Sequence, residues 1–361
     1  MKDRSRLFIR VMQGRAWIPD DEIPHRQLGV EEFFLDSIGS AANKLKGKFM
    51  KLPLKFDWRF MAPFLIVVAG ISWGLIGLFS TNLSRAGFDP VQITVVRCVI
   101  TAFVLGVFLL VFKPGAFKIR LCHIWMFLGT GVLSIAFFNV CYFACINLCG
   151  LSFAAILLYT APCFVVVFSA FLFKERLTRQ KGVALIVAFA GCLLVVGIGS
   201  GDASLSFVGI AFGIGSGIGY ALYSLFARVA LKHYETPTVM FYTFLFASMA
   251  LVPFSDPFEI VFLAQTSVSV LALMLGLALI STVLPFACYT VGLSHMETGK
   301  ASIMAFIEPM VSLLIGVFIL HDVLTLLNCC GVTLIILAVA LLNISSKRVR
   351  FLRGPNDPKL S

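Results

Sequence analysis

Ten apolar runs follow one another along this chain, at about 61–80, 90–112, 124–148, 151–173, 180–198, 207–230, 237–255, 268–293, 299–320 and 327–345. Each approaches the ~20 residues that a helix needs to cross a hydrocarbon core about 30 Å thick. The connections are short, and several hold Gly, Pro, Asp or Ser, which form turns. A bilayer offers no water to backbone N–H and C=O groups, so runs of this length must satisfy them internally as helices. The sequence therefore predicts an all-α polytopic membrane protein of ten transmembrane helices. Composition agrees, with 59% hydrophobic and 13% charged residues, against about 25% charged in a soluble domain.

Ten spans place both termini on one side. Assigning that side to the cytoplasm gives it 27 of the 29 Lys and Arg residues, leaving Arg85 in an outer loop and Arg97 inside a span. The opposite orientation would put nearly all of them outside. Basic residues collect on the cytoplasmic side of membrane proteins, so both termini are expected there, in the inner (cytoplasmic) cell membrane. The net charge of +11 is then an orientation signal, and nucleic acid is not an expected partner.

The expected organisation is a cytoplasmic tail at 1–60, two five-helix repeats at 61–198 and 207–345, and a second cytoplasmic tail at 346–361. No apolar stretch follows the early basic residues, so no signal peptide is expected. Phe34, Ile38, Ala42, Leu45 and Phe49 recur at a helical period beside Lys44, Lys46 and Lys48. That pattern suits a helix lying on the inner membrane surface. A disordered tail, or a start at Met50, suits it equally.

The repeat is read from residues that punctuate helices. At an offset of 147, Gly70 meets Gly217, Pro90 meets Pro237, Gly129 meets Gly276, Tyr142 meets Tyr289 and Pro162 meets Pro309. The frame holds from Gly70 to Thr178 and then slips by two, so that Gly182 meets Gly331. An odd number of spans per half makes the second half enter from the opposite side. Inverted repeats of this kind are a design of secondary transporters.

Some of these residues carry a family resemblance. They are Ser72-Trp73-Gly74, Arg97, Tyr159-x-x-Pro162, Glu175-Arg176-Leu177-Thr178, Glu308-Pro309 and Asp322-x-Leu324-Thr325. Together, over about 61–345, they resemble the EamA-type transporters of the drug/metabolite transporter superfamily. Asp322 stands where that family more often has Glu. The resemblance implies alternating access, and export more often than import, of a small metabolite or drug-like solute.

Two ionisable residues lie deep in spans. Arg97 is seven residues past Pro90, about 10 Å below that surface at 1.5 Å per residue. Glu308 is eight residues past Lys300, about 12 Å from the other surface. Charges in lipid are costly and should face the bundle interior. Glu308 is a candidate to bind a proton or a cationic group, and Arg97 to bind a carboxylate or hold Glu308. A fixed ion pair, or an Arg97 that snorkels outward, is the alternative. Glu308 maps to Ala161 and Arg97 to Phe244, so the repeat scaffold alone does not require either charge.

Trp73, Tyr159 and Tyr220 are candidates to line a solute pathway, and Tyr142, Tyr223 and Tyr289 also lie in spans. Their polar tips need a partner at depth, which a solvated cavity provides. Glu175 and Asp322 sit at span ends, as helix caps or local ion pairs, or else as gates. Cys141, Cys145 and Cys149 share one helix face, which suits helix packing better than a soft metal. Gly209, Gly213 and Gly217 suit close helix packing. No P-loop, G-x-S-x-G or H-x-x-E-H motif occurs, so neither an ATPase nor an enzyme is expected, and no cofactor. The expected partners are a small-molecule substrate, the bilayer, and protons or a counter-substrate. A nucleotide-sugar or triose-phosphate exchanger, a channel and a non-transporting membrane subunit are the other readings.

Overall fold

The computed structural model describes residues 57–197, 206–319 and 323–351, with side chains described as far as 343. The amphipathic stretch at 34–49 and Asp322 lie outside the described residues. All ten spans form helices long and apolar enough to cross a membrane: Trp58–Arg85, Pro90–Phe112, Leu121–Cys149, Leu151–Phe173, Arg179–Val196, Phe207–Ala230, Thr236–Phe254, Val268–His295, Thr298–Ile319 and Leu326–Asn343. They are numbered 1 to 10 below. Spans 1 and 10 begin and end at the same end of the bundle, called here the entry end. The other is the far end.

Span 1 is longer than its apolar run. Its last turns hold Ser80 and Asn82, whose side chains donate back to the carbonyls of Ile76 and Leu78 at 2.8 Å each. Their polarity is thus absorbed within the helix. Several span starts carry side-chain caps. Asp89 and Gln92 form a reciprocal capping box with Pro90 in the first turn of span 2. The Thr178 and Ser206 side chains accept from Lys181 and Gly209 N–H groups at the starts of spans 5 and 6. Each cap satisfies one of the four N–H groups that a helix start leaves open.

Spans 4 and 9 are broken in the same place. Helices Leu151–Leu158 and Ala161–Phe173 make span 4, and Thr298–Met304 and Ile307–Ile319 make span 9. Pro162 and Pro309 open the second piece of each, where a missing N–H costs nothing and the ring cannot continue the helix before it. Spans 3 and 8 each contain π-helical turns, Gly129–Ala136 and Leu279–Val283. At the 147 offset the second falls within the first.

The two halves interdigitate. Span 1 packs on spans 8 and 9, span 6 packs on spans 3 and 4, and spans 5 and 10 pack on each other. The inverted symmetry reaches individual side chains. A Cβ on Gly129 would stand 2.5 Å from the Phe226 ring, and one on Gly276 would stand 2.5 Å from the Phe79 ring. Phe79 and Phe226 are themselves 147 apart. The all-α fold is therefore two inverted-topology repeats of five helices.

Cys141, Cys145 and Cys149 of span 3 resolve into packing. The Cys149, Cys145 and Cys141 thiols seat against Gly209, Gly213 and Gly215 of span 6. The glycines let two helices close to a distance any Cβ would forbid.

Candidate functional site

Between spans 1, 2, 3, 4, 6, 8 and 9 lies a cavity of about 390 Å³, within the usual range for small-molecule sites, roughly 300–1,000 Å³. Its walls begin at the far end with Ser84, Pro90, Phe143 and Leu151 and descend to Tyr223, Ser224, Tyr289 and Glu308. Glu308, Arg97, Trp73, Tyr159 and Tyr220 all line it.

Glu308 sits in the first turn after the break in span 9. The break turns its carboxylate into the cavity, where the Tyr220 hydroxyl donates to Oε2 at 3.2 Å. Arg97 is 8% exposed. The two charges are not an ion pair: among the described residues Arg97 has no carboxylate within 4.0 Å, and its buried Nε has no hydrogen-bond partner. Arg97 also does not snorkel away from the bundle, since it faces the cavity. Trp73 packs against Phe286 and Tyr289, with ring centroids 5.3 and 5.2 Å apart.

Neutral polar residues join these, and sequence reasoning missed them. Thr94 donates to Asn139 Oδ1 at 3.3 Å across spans 2 and 3, and the Ser134 hydroxyl is buried without a partner. All three line the cavity. The available signal was their position in otherwise apolar runs, since short polar side chains at depth need a partner or water.

The entry end is sealed first by pairs between spans 6 and 8 of the second half, and then by pairs that join the halves. The Tyr223 hydroxyl meets Thr290 Oγ1 at 2.7 Å, and Ser224 Oγ meets the Tyr289 hydroxyl at 2.8 Å. Arg228 donates to the Leu293 carbonyl. Trp58 stacks on His295 with centroids 3.7 Å apart. The connection after span 2 is tied to the connection before span 7 by the Lys113–Glu235 ion pair and by Arg120 N–H donating to the Tyr234 hydroxyl at 3.0 Å.

Glu175 belongs to this seal and not to the cavity. It does not cap its own helix. Lys174 takes a left-handed conformation, φ 55°, which turns the chain back and aims the next side chain across the halves. Glu175 then accepts from the Thr298 and Gly299 N–H groups at 2.6 and 3.1 Å, at the start of span 9. Lys181, buried, lies 3.6 Å from Glu175 and 3.2 Å from Glu297. Burial alone would raise the Glu175 carboxyl, but the Gly299 and Thr298 N–H groups, and after them Lys181, hold it below the ordinary carboxylate value.

The inverted five-helix repeats and a mid-membrane cavity at two broken helices define a polytopic membrane protein of transporter build. The EamA-like transporter family model matches the chain twice, over residues 60–197 and 207–344. An Archaeoglobus fulgidus protein named "Uncharacterized transporter" is 32% identical over 58% of this chain and 74% of its own length. A Salmonella typhimurium protein named "Probable amino-acid metabolite efflux pump" is 24% identical over 80% of this chain and 96% of its own. A crystal structure at 18% identity shares the fold with a TM-score of 0.67, covering 80% of this chain and 98% of that one. The chain belongs to the EamA-like transporter family, and it is an integral membrane transporter.

Proposed function

We propose that the chain is a secondary transporter of a small amphipathic or zwitterionic solute, working by alternating access as an exporter in the cytoplasmic membrane. Both termini then lie in the cytoplasm, the far end faces outward, and the described state is open to the outside. The observation that carries this reading is the cavity. It reaches from the far end to a broken helix bearing Glu308 and stops at a layer of contacts between spans 6 and 8.

The repeat supplies the other half of the cycle. Shifted by 147, Tyr223–Thr290 becomes Ile76–Phe143, Ser224–Tyr289 becomes Gly77–Tyr142, and Arg228 with the Leu293 carbonyl becomes Thr81 with the Ile146 carbonyl. Ile76, Gly77, Thr81, Tyr142 and Phe143 line the open end of the cavity. These are the contacts expected to close when the entry end opens. Glu308 then presents its carboxylate to each side in turn, to a proton or to a cationic group of the solute. The name of the Salmonella relative supports efflux and makes amino-acid metabolites the first solutes to test.

The test is a solute screen in proteoliposomes, with and without a pH gradient. Solute flux that depends on the protein supports the reading, and a response to the gradient supports proton coupling. No flux of any solute in either orientation of the gradient would sink it.

A further inference from the structure

Charge is unevenly satisfied in the cavity. Glu308, the acid, accepts a hydrogen bond from Tyr220 at 3.2 Å. Arg97, the cation, feels the Glu308 carboxylate across the cavity but has neither a contact ion pair among the described residues nor a partner for its buried Nε. A guanidinium carries five N–H donors and no acceptor, and a buried cation without a contacting anion is costly. The open valence of the site is therefore for an anion.

A second orphan donor lies within about 3 Å of that depth. Thr94 and Asn139 touch across spans 2 and 3, which run antiparallel. Arg97 is three residues beyond Thr94 and Ser134 is five residues before Asn139. Both therefore lie below that contact, by about 4.5 and 7.5 Å at 1.5 Å per residue. The Ser134 hydroxyl is buried with no hydrogen-bond partner, and both residues line the cavity.

From this we infer that Arg97 and Ser134 form a carboxylate-binding subsite, so that the transported solute carries a carboxylate at the span 2–span 3 wall. Among the described lining residues Arg97 is the one Lys, Arg or His. A single cation, with the Glu308 carboxylate in the same cavity, suits a monoanion and not a phosphate dianion. The body of the solute lies against Trp73, Tyr142, Tyr159 and Tyr220, whose faces suit a planar or apolar group. This inference rests on reading the cavity as the solute site.

The test measures binding, separately from transport, in neutral detergent free of anionic lipid. Four probes share one aromatic body: 3-phenylpropionate, its amide, 3-phenylpropylamine and phenylalanine. Wild-type protein should bind 3-phenylpropionate and phenylalanine more tightly than the amide. Arg97→Gln should lose affinity for these two by about ten- to a hundredfold, the scale of a charge-assisted hydrogen bond. Affinity for the amide should not change. Ser134→Ala should lose less, and Arg97→Lys should recover part. Arg97→Gln should also melt no lower than wild type, since it removes a charge that the fold leaves unpaired. A lower melting point together with equal losses for all probes would make Arg97 structural and overturn the inference. Tighter binding of the amine or amide than of the carboxylate would overturn it while leaving the cavity a solute site. Binding of none of the four would remove the cavity reading as well.

Discussion

Spans 4 and 9 are equivalent helices of the two halves. Both break in mid-membrane, both restart on a proline, and both end near an acidic turn in sequence. Yet Ala161 precedes Pro162, while Glu308 precedes Pro309. Spans 2 and 7 diverge in the same manner. Arg97 faces the cavity, whereas its counterpart Phe244 is fully buried and packs edge-on to Phe286, with centroids 4.9 Å apart. Span 1 is interrupted at Leu75, whereas span 6 runs unbroken from Phe207 to Ala230. The shared features are those that bend and pack helices. The differing ones are charge, and the polarity of the seal. At the entry end that seal is built from Tyr, Thr, Ser and Arg, and its far-end counterparts are Ile, Phe, Gly, Tyr and Thr.

The comparison is most easily broken at Glu308. We predict that Glu308→Gln lowers proteoliposome flux at least about tenfold, on the scale of a charged hydrogen bond, and flattens its pH dependence. Moving the acid to the other half, Ala161→Glu in Glu308→Ala, should not rescue it, because position 244 offers no Arg. Restored flux would mean that the halves are chemically interchangeable.

The next effect falls on the seal. Lys181→Met leaves Glu175 and Glu297 without their shared buried cation, a loss on the order of 3 kcal/mol. It should open the entry end, read as faster maleimide labelling of Ser302→Cys on a background without native cysteines. The pH arm has a definite sign. Glu175 is held below the ordinary carboxylate value, so its contribution is complete above about pH 4.3, the ordinary Glu value, and is lost only as pH falls through the lowered one. Thiol labelling is too slow in acid to read this, so a nitroxide attached at Ser302→Cys should there become more accessible to a water-soluble relaxation agent, and Glu175→Gln should abolish that rise. A rise at neutral pH would point to another group.

A subtler outcome concerns the contacts expected at the far end. Spin labels at Thr81 and Ile146 should approach each other when the entry end is opened by Lys181→Met. An unchanged separation would mean that the two ends do not trade places. The smallest expected effect concerns the symmetric glycines. Gly129→Ala and Gly276→Ala should each cost about 1–3 kcal/mol through overpacking against Phe226 and Phe79. Melting points that differ widely between the two would show that the halves carry unequal load.

The fold was legible because a bilayer leaves a chain few options. Length, apolarity and loop charge marked the spans, and prolines and glycines marked the repeat. Glu308, Arg97, Trp73, Tyr159 and Tyr220 stood out because a charge or a polar ring at depth needs a cavity or a partner. Other parts were hidden for physical reasons. Ser134, Thr94 and Asn139 are small and uncharged, so they vanish in an apolar average. Lys181 lies at a span start, where a lysine reads as an orientation signal, and only the fold shows it buried between two carboxylates. The reach of Glu175 across the halves depends on the left-handed turn at Lys174, a residue type that rarely announces one. The π-helical turns have no simple sequence mark.

The bridge at Glu175 bears on time as well as on equilibrium. Separating it leaves the N–H groups of Thr298 and Gly299 without acceptors and Lys181 without one of its anions, in a place that water reaches only after the opening is complete. Orphaned donors and charges are most costly in that dry interval. The bridge is thus expected to weigh on the barrier of the cycle. Its loss should be felt first as a shorter dwell in the described state and a faster turnover, with little change in how tightly the solute is held.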